Sequence, residues 1–209
     1  MIEAGTKLRL RRDDDGTEFG ATVIDPSAPP AFVRLSQRDP RWALRKLGFT
    51  TGLENIGSHG CLITCFTMML GRSDVGALND DLCRRGMFVA GSGNVYLDLS
   101  ALGAKLLTVS SLYDRDPLPD VWQARLMAHV RAGKPAIVGV DFSPWPANAQ
   151  YDEHYVYVTG LDDQDRLTIA DPWPLSPEVA PQYFTPRYGR TVPIAACRVL
   201  LYERIGVSP

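Results

Sequence analysis

Cys61 stands at the end of Gly57-Ser58-His59-Gly60-Cys61, and the residues that follow, through Leu70, are mostly apolar and stop at Gly71. This pattern predicts a buried helix with a thiol in its first turn. Such a thiol meets unpaired N–H groups and the positive end of the helix dipole. Both favour the thiolate, the form that attacks carbonyl carbons. Gly60 leaves room beside the sulfur for a substrate backbone to approach. The plain alternative is a core cysteine, since cysteines are usually buried.

A reactive thiolate needs a base within hydrogen-bond reach. The sequence has three histidines. His59 is tethered too closely to Cys61 for an easy hydrogen bond, and His129 falls inside a helical stretch, on its surface. His154 opens a strand in which His154, Val156 and Val158 share one face, and Tyr155, Tyr157 and Thr159 the other. It is the best candidate, against the alternative of a polar residue at a strand edge.

Asp171 can serve as the group that orients it. A hairpin joins 154–161 to 166–170 around Asp162-Asp163-Gln164-Asp165. A two-residue loop sets His154 opposite Asp171, and a four-residue loop sets Asp171 opposite Val156. Either places the two side chains on one sheet face, whereas an odd loop or a bulge breaks the relation. A carboxylate beside histidine fixes its tautomer and steadies the imidazolium. An oxyanion also needs donors, which the Cys61 N–H and the Gln37 side-chain amide can supply.

The chain has 209 residues, 45% hydrophobic and 22% charged, with a formal charge of -2. That is globular composition, and it argues against disorder and against a basic nucleic-acid groove. No apolar run approaches the roughly 18–20 residues of a membrane span. No signal peptide is visible at the N-terminus, so the default compartment is the cytoplasm. Cysteines at 61, 65, 83 and 197 are too sparse for a disulfide scaffold. Cys65, one turn after Cys61, reads as core. Asp13–Asp15 lacks the later ligands of a calcium loop, and neither metal nor cofactor is expected.

Residues 1–30 read as a short β-hairpin arm, loosely SH3-like, broken off by Asp25-Pro26 and the prolines at 29 and 30. Residues 31–209 read as helices first and sheet afterwards, an α+β layout. Helices are expected after Asp39-Pro40 through Leu47, and over 61–70, 74–85, 95–102 and 121–131, the last with Val121, Leu126 and Val130 buried. Strands are expected over 135–142, 154–161, 166–170 and 191–203.

Five segments then follow in order: Gln37-Arg38-Asp39-Pro40-Arg41-Trp42; Gly60-Cys61 opening an apolar helix; Gly133-Lys134-Pro135-Ala136-Ile137-Val138-Gly139-Val140; His154-Tyr155-Val156-Tyr157-Val158-Thr159-Gly160; and Ala170-Asp171-Pro172-Trp173. The set resembles the C39-like cysteine peptidases, a branch of the papain-like fold, over about residues 33 to 203. The resemblance implies a papain-like domain, its N-terminal helices packed on an antiparallel sheet. Cys61 would be the nucleophile, His154 the base, Asp171 its orienter, and Gln37 part of the oxyanion hole. Better-known members are fused to peptide exporters and cut leader peptides after a double glycine. No transporter segment is visible here, so that substrate is not carried over.

The expected activity is hydrolysis of a peptide or amide through a covalent thioester. One rival is a peptidoglycan amidase of cell-wall or phage type, which the SH3-like arm favours. Another is a peptide-binding module without turnover, disfavoured because Gln37, Cys61, His154 and Asp171 are all present. Tyr155 and Trp173, with Trp145 and Tyr151, suit the lining of a substrate groove, although loop aromatics capping the core account for them equally. The expected partner is a peptide or peptidoglycan-like substrate, and nothing in the sequence sets an oligomeric state.

Overall fold

The computed structural model describes residues 7–11, 18–22, 33–110, 118–141, 153–174, 182–183 and 198–206. The chain divides into two units, Met1–Ala31 and Phe32–Pro209. In the first, β1 (Lys7–Arg11) pairs antiparallel with β2 (Glu18–Thr22), Leu10 opposite Phe19. Asp13–Asp15 and Pro26–Pro30 lie outside the described residues.

In the second unit, α1 (Ile56–His59), α2 (Cys61–Met69) and α3 (Val75–Arg84) precede a six-stranded sheet. Its strands are β3 (Ala104–Val109), β4 (Ala136–Asp141), β5 (Glu153–Leu161), β6 (Leu167–Ala170), β7 (Gln182–Tyr183) and β8 (Arg198–Arg204). They lie in the order β3-β8-β4-β5-β6-β7, and every pairing is antiparallel. Helix α4 (Asp120–Arg131) falls between β3 and β4. The architecture is therefore α+β.

The sheet is buried on both faces, which is why its central strands read as nearly continuous apolar runs. Ile137, Tyr155, Tyr157, Leu200 and Tyr202 pack with the residues of α2 and α3. Their alternating neighbours Val138, Val140, Val156, Val158, Val199 and Leu201 pack with Leu118, Leu126 and Val130. Val121, expected on the α4 stripe, is 72% exposed, whereas Leu118 ahead of the helix is buried with Leu126 and Val130.

Two other expectations need correction. The segment after Asp39-Pro40 is a chain of turns instead of a helix. Its carbonyls are taken from outside: Gly57 N donates to Ala43 O at 2.8 Å, and Ile56 N to Arg45 O at 2.9 Å. Residues 95–102 hold only a 3-10 turn at Ser100–Leu102. The Asp98 carboxylate accepts from Ser100 N, Ser100 Oγ and Leu106 N, which folds the chain back into β3. Strand β3 has no counterpart among the expected strands. Its burial alternates, but the outward Leu107 and Val109 are apolar and conceal the period.

Gly60, between α1 and α2, is required by packing. A Cβ there would lie 2.4 Å from Ile56 O and 2.8 Å from Ile56 Cγ2. The space it leaves is taken by α1, so the glycine sets how tightly the helices follow each other. Gly60→Ala should destabilise the protein by about 1–3 kcal/mol, the usual cost of forced overpacking, read as a lowered midpoint in urea.

Candidate active site

Cys61 is the first residue of α2, buried to 9% exposure, with Gly60 as its N-cap. Thr64 N is the first amide of the helix to find an acceptor, Gly60 O at 3.0 Å. The Cys61, Leu62 and Ile63 amides therefore point out of the helix end as donors. One turn on, Cys65 is fully buried, and its Sγ donates to Tyr155 O at 3.4 Å. That bond ties the helix carrying Cys61 to the strand carrying His154. Burial pushes the Cys65 thiol well up, so it is an inert anchor.

His154 is the second residue of β5. Its Nε2 lies 2.8 Å from Asp171 Oδ1, and both side chains are buried. With Nε2 given to the carboxylate, Nδ1 is the nitrogen left for another partner, and Cys61 lies close enough to help the ring keep its proton. Burial is the largest single influence on His154 and pushes its pKa down. Hydrogen bonds with Asp171 and Cys61, and the attraction of both groups, outweigh it and raise the value to about 9.

The register that joins His154 to Asp171 combines the two irregularities that would each break it. The loop between β5 and β6 is odd, since Leu161 pairs with Leu167. A bulge between Val158 and Gly160 then adds a residue to β5, and Val158 pairs with Ile169 and Tyr157 with Ala170. The shifts cancel. Continued past Ala170, the register sets Asp171 opposite Val156, diagonal to His154, within reach of an imidazole. Asp171 Oδ1 also accepts from Trp173 N at 2.8 Å. The Trp173 ring stands edge-on to His154 with centroids 6.4 Å apart, and Arg38 lies over it at 5.0 Å. Trp173 thus walls the imidazole–carboxylate pair from water.

Gln37 joins the same cluster from two sides. Its backbone N–H donates to Pro172 O at 2.8 Å, and its Nε2 donates to Gly57 O at 3.0 Å. It is buried, and its Oε1 has no hydrogen-bond partner among the described residues. The second Nε2 hydrogen is a donor beyond the one given to Gly57.

A cleft of about 580 Å³ opens beside the thiol, lined among others by Cys61, Tyr155, His59, Glu54, Asn94 and Arg198. Tyr155, expected at a substrate groove, does line it. Gly60 and Trp173 are not among its lining residues: Gly60 faces α1 and Trp173 backs His154. His59 is exposed and its Nδ1 pairs with Ser58 Oγ at 2.8 Å. His129, expected on the surface, is half-buried and ties α4 to the sheet, its Nε2 lying 2.9 Å from Tyr202 O and 3.1 Å from Pro135 O. Arg198 and the 92–97 segment were missed as cleft residues, because Ser92-Gly93-Asn94 signals only a turn and Arg198 falls inside an expected strand. Cys197, Trp145 and Tyr151 lie outside the described residues.

The raised His154 value has a consequence for stability. A histidine whose folded pKa exceeds its usual 6.5 stabilises the fold fully below that pH and loses the contribution as pH rises to about 9. The melting temperature should therefore fall between pH 6.5 and 9.5, and His154→Ala should flatten that slope. An equal slope in the variant would place the titrating group elsewhere.

The model of the Peptidase_C39-like family matches residues 41–191, well over half of the chain. A helix-borne thiol beside a buried imidazole–carboxylate pair on an α+β scaffold agrees with that class. The chain belongs to the Peptidase_C39-like family, and at family level it is a peptidase. Comparison with curated proteins, and with solved structures, gave no match.

Proposed function

We propose that this protein is a cysteine peptidase of papain-like fold, with residues 31–209 as the catalytic domain and 1–30 as an accessory arm. Cys61 sulfur attacks the carbonyl carbon of a peptide bond, and the C=O electrons move onto oxygen. The Cys61 N–H and the Gln37 amide donate to that oxyanion. When the tetrahedral species collapses, the C–N bond breaks and His154 gives its proton to the departing amine. Water, deprotonated by His154, then attacks the thioester and returns Cys61 to the start. Asp171 holds the imidazole in the tautomer this requires.

The reading rests on one observation, the buried His154 ring held by Asp171 with Cys61 close enough to act on its proton. Its test is cleavage of unfolded casein by the purified protein, with one equivalent of iodoacetamide abolishing turnover. Gln37→Ala should lower kcat by about 10²- to 10³-fold with KM little changed, as expected when one oxyanion donor is lost. Clearing of purified sacculi without casein cleavage would move the substrate to the cell wall. Tight peptide binding without cleavage would make the chain a binding module.

A further inference from the structure

We infer that Glu54 sets the specificity of the cleft beside Cys61 and takes a lysine or arginine side chain of the substrate close to the bond that is cut. Cleavage rests on the peptidase reading above; the preference for a cation does not. Residues 47–54 form a loop closed at its base, where Leu47 N donates to Glu54 O at 3.2 Å and Lys46 bridges to Asn55. Thr50 is buried within it. Its N–H donates to Leu47 O at 3.2 Å, and its hydroxyl donates to Glu54 Oε2 while accepting from Gly52 N at 3.2 Å. A Cβ on Gly52 would lie 2.5 Å from Glu54 Oε2, so the bare glycine leaves the place that the carboxylate occupies. A side chain free to sweep in a plain loop is here held in one position.

The half-buried Glu54 lines the cleft together with Cys61 and His59. The Thr50 hydroxyl above all, then its own amide and, more weakly, the His59 ring hold its carboxyl below the ordinary range against the opposing effect of burial, so it is an anion at neutral pH. Among the described residues Glu54 has no ion-pair partner. Arg198, also in the cleft lining, donates instead to the Tyr155 hydroxyl at 3.2 Å and does not neutralise it. The carboxylate therefore keeps its charge for a ligand. An ammonium or guanidinium meets such an anion through charge-assisted hydrogen bonds. Leu47 and Leu62 line the same cleft and can cover the methylene stem that lysine and arginine carry behind the charge. A cleft of this volume is roughly 10 Å across, the length of about three extended residues. Glu54 and Cys61 are therefore met by neighbouring positions of one peptide.

The test needs no known substrate. Iodoacetyl-arginine α-amide and iodoacetyl-citrulline α-amide have nearly the same shape and differ in one positive charge. In each, the Cys61 sulfur forms a bond to the methylene carbon as iodide leaves. Alkylation at Cys61 is followed by peptide mass, and the ratio of the two rates is divided by the ratio for mercaptoethanol. The expected result is a preference of about fivefold or more for the arginine reagent, the scale of one charge-assisted pair at a half-exposed site. Glu54→Gln keeps an acceptor for Thr50 but loses the charge, and should bring the ratio near one. Glu54→Asp should retain part of it. A wild-type ratio of one overturns the proposal. So does a ratio unchanged by Glu54→Gln, which would place the attraction at the thiolate.

Unlabelled Cys65 reports that Glu54→Gln is folded. If that variant unfolds, Thr50→Val decides, since it removes the hydroxyl that fixes the carboxylate: a lowered ratio supports the proposal, and an unmoved one overturns it. His154→Ala separates the two readings. If it slows neither reagent, the peptidase reading fails while the arginine-to-citrulline ratio still reports on Glu54.

Discussion

Cys61→Ala should lower kcat/KM by about 10⁴-fold or more while leaving the fold intact. Removal of a nucleophile that works as one unit with its base leaves only binding and oxyanion stabilisation, and the loss approaches that of the whole unit. Cys61 lines the cleft from the first position of α2, and its truncation removes one sulfur atom. Stability should therefore change by no more than about 1 kcal/mol, the typical size of a single substitution. Activity measured on unfolded casein, together with a urea midpoint, separates the two effects. A variant that keeps a tenth of wild-type activity would exclude Cys61 as the nucleophile.

Asp171→Ala should give the second largest loss, about 10²- to 10⁴-fold in kcat/KM. The substitution removes the acceptor 2.8 Å from His154 Nε2 and also the acceptor of Trp173 N. The imidazole then turns freely between tautomers, and the Trp173 wall loses its anchor. Asp171→Asn keeps an oxygen in place and loses the charge, so it should fall between wild type and alanine. In both variants the alkaline limb of the pH–activity profile should move below the wild-type position near pH 9, since Asp171 helps hold the His154 proton. Full activity with an unmoved limb would show that Asp171 only shapes the loop.

Much of this site was legible in the residues because its parts are local. Gly60-Cys61 before an apolar run announces a thiol at a helix start, and Asp171-Pro172 announces the end of a strand. The long-range relations were less visible. Nothing in residues 154–171 distinguishes a four-residue loop from a five-residue loop corrected by a bulge, although both leave His154 and Asp171 diagonal. Gly60 looked like space for a substrate, but Ile56 occupies it, a contact set by the turn between two short helices. The helix expected at 39–47 lost to hydrogen bonds from Gly57 and Ile56, outside the segment, and the one at 95–102 to the Asp98 carboxylate, which takes Ser100 and reaches on to Leu106 N. Periodicity reports which face is apolar and is silent about such captures. Arg198 shows the same limit: only the pairing of β8 with Gly139 carries it into the cleft.

The central claim is that Cys61 and His154 act as one reactive pair. Iodoacetamide alkylation of Cys61, followed by peptide mass from pH 5 to 10 in the wild type and in His154→Ala, tests it most directly. Wild-type Cys61 should react at least tenfold faster than Cys83 at pH 6. Its rate should change again near pH 9, where His154 loses its proton, and His154→Ala should remove both features. If Cys61 reacts no faster than Cys83, and His154→Ala leaves its profile unchanged, the thiol is structural and the chain is not a cysteine peptidase.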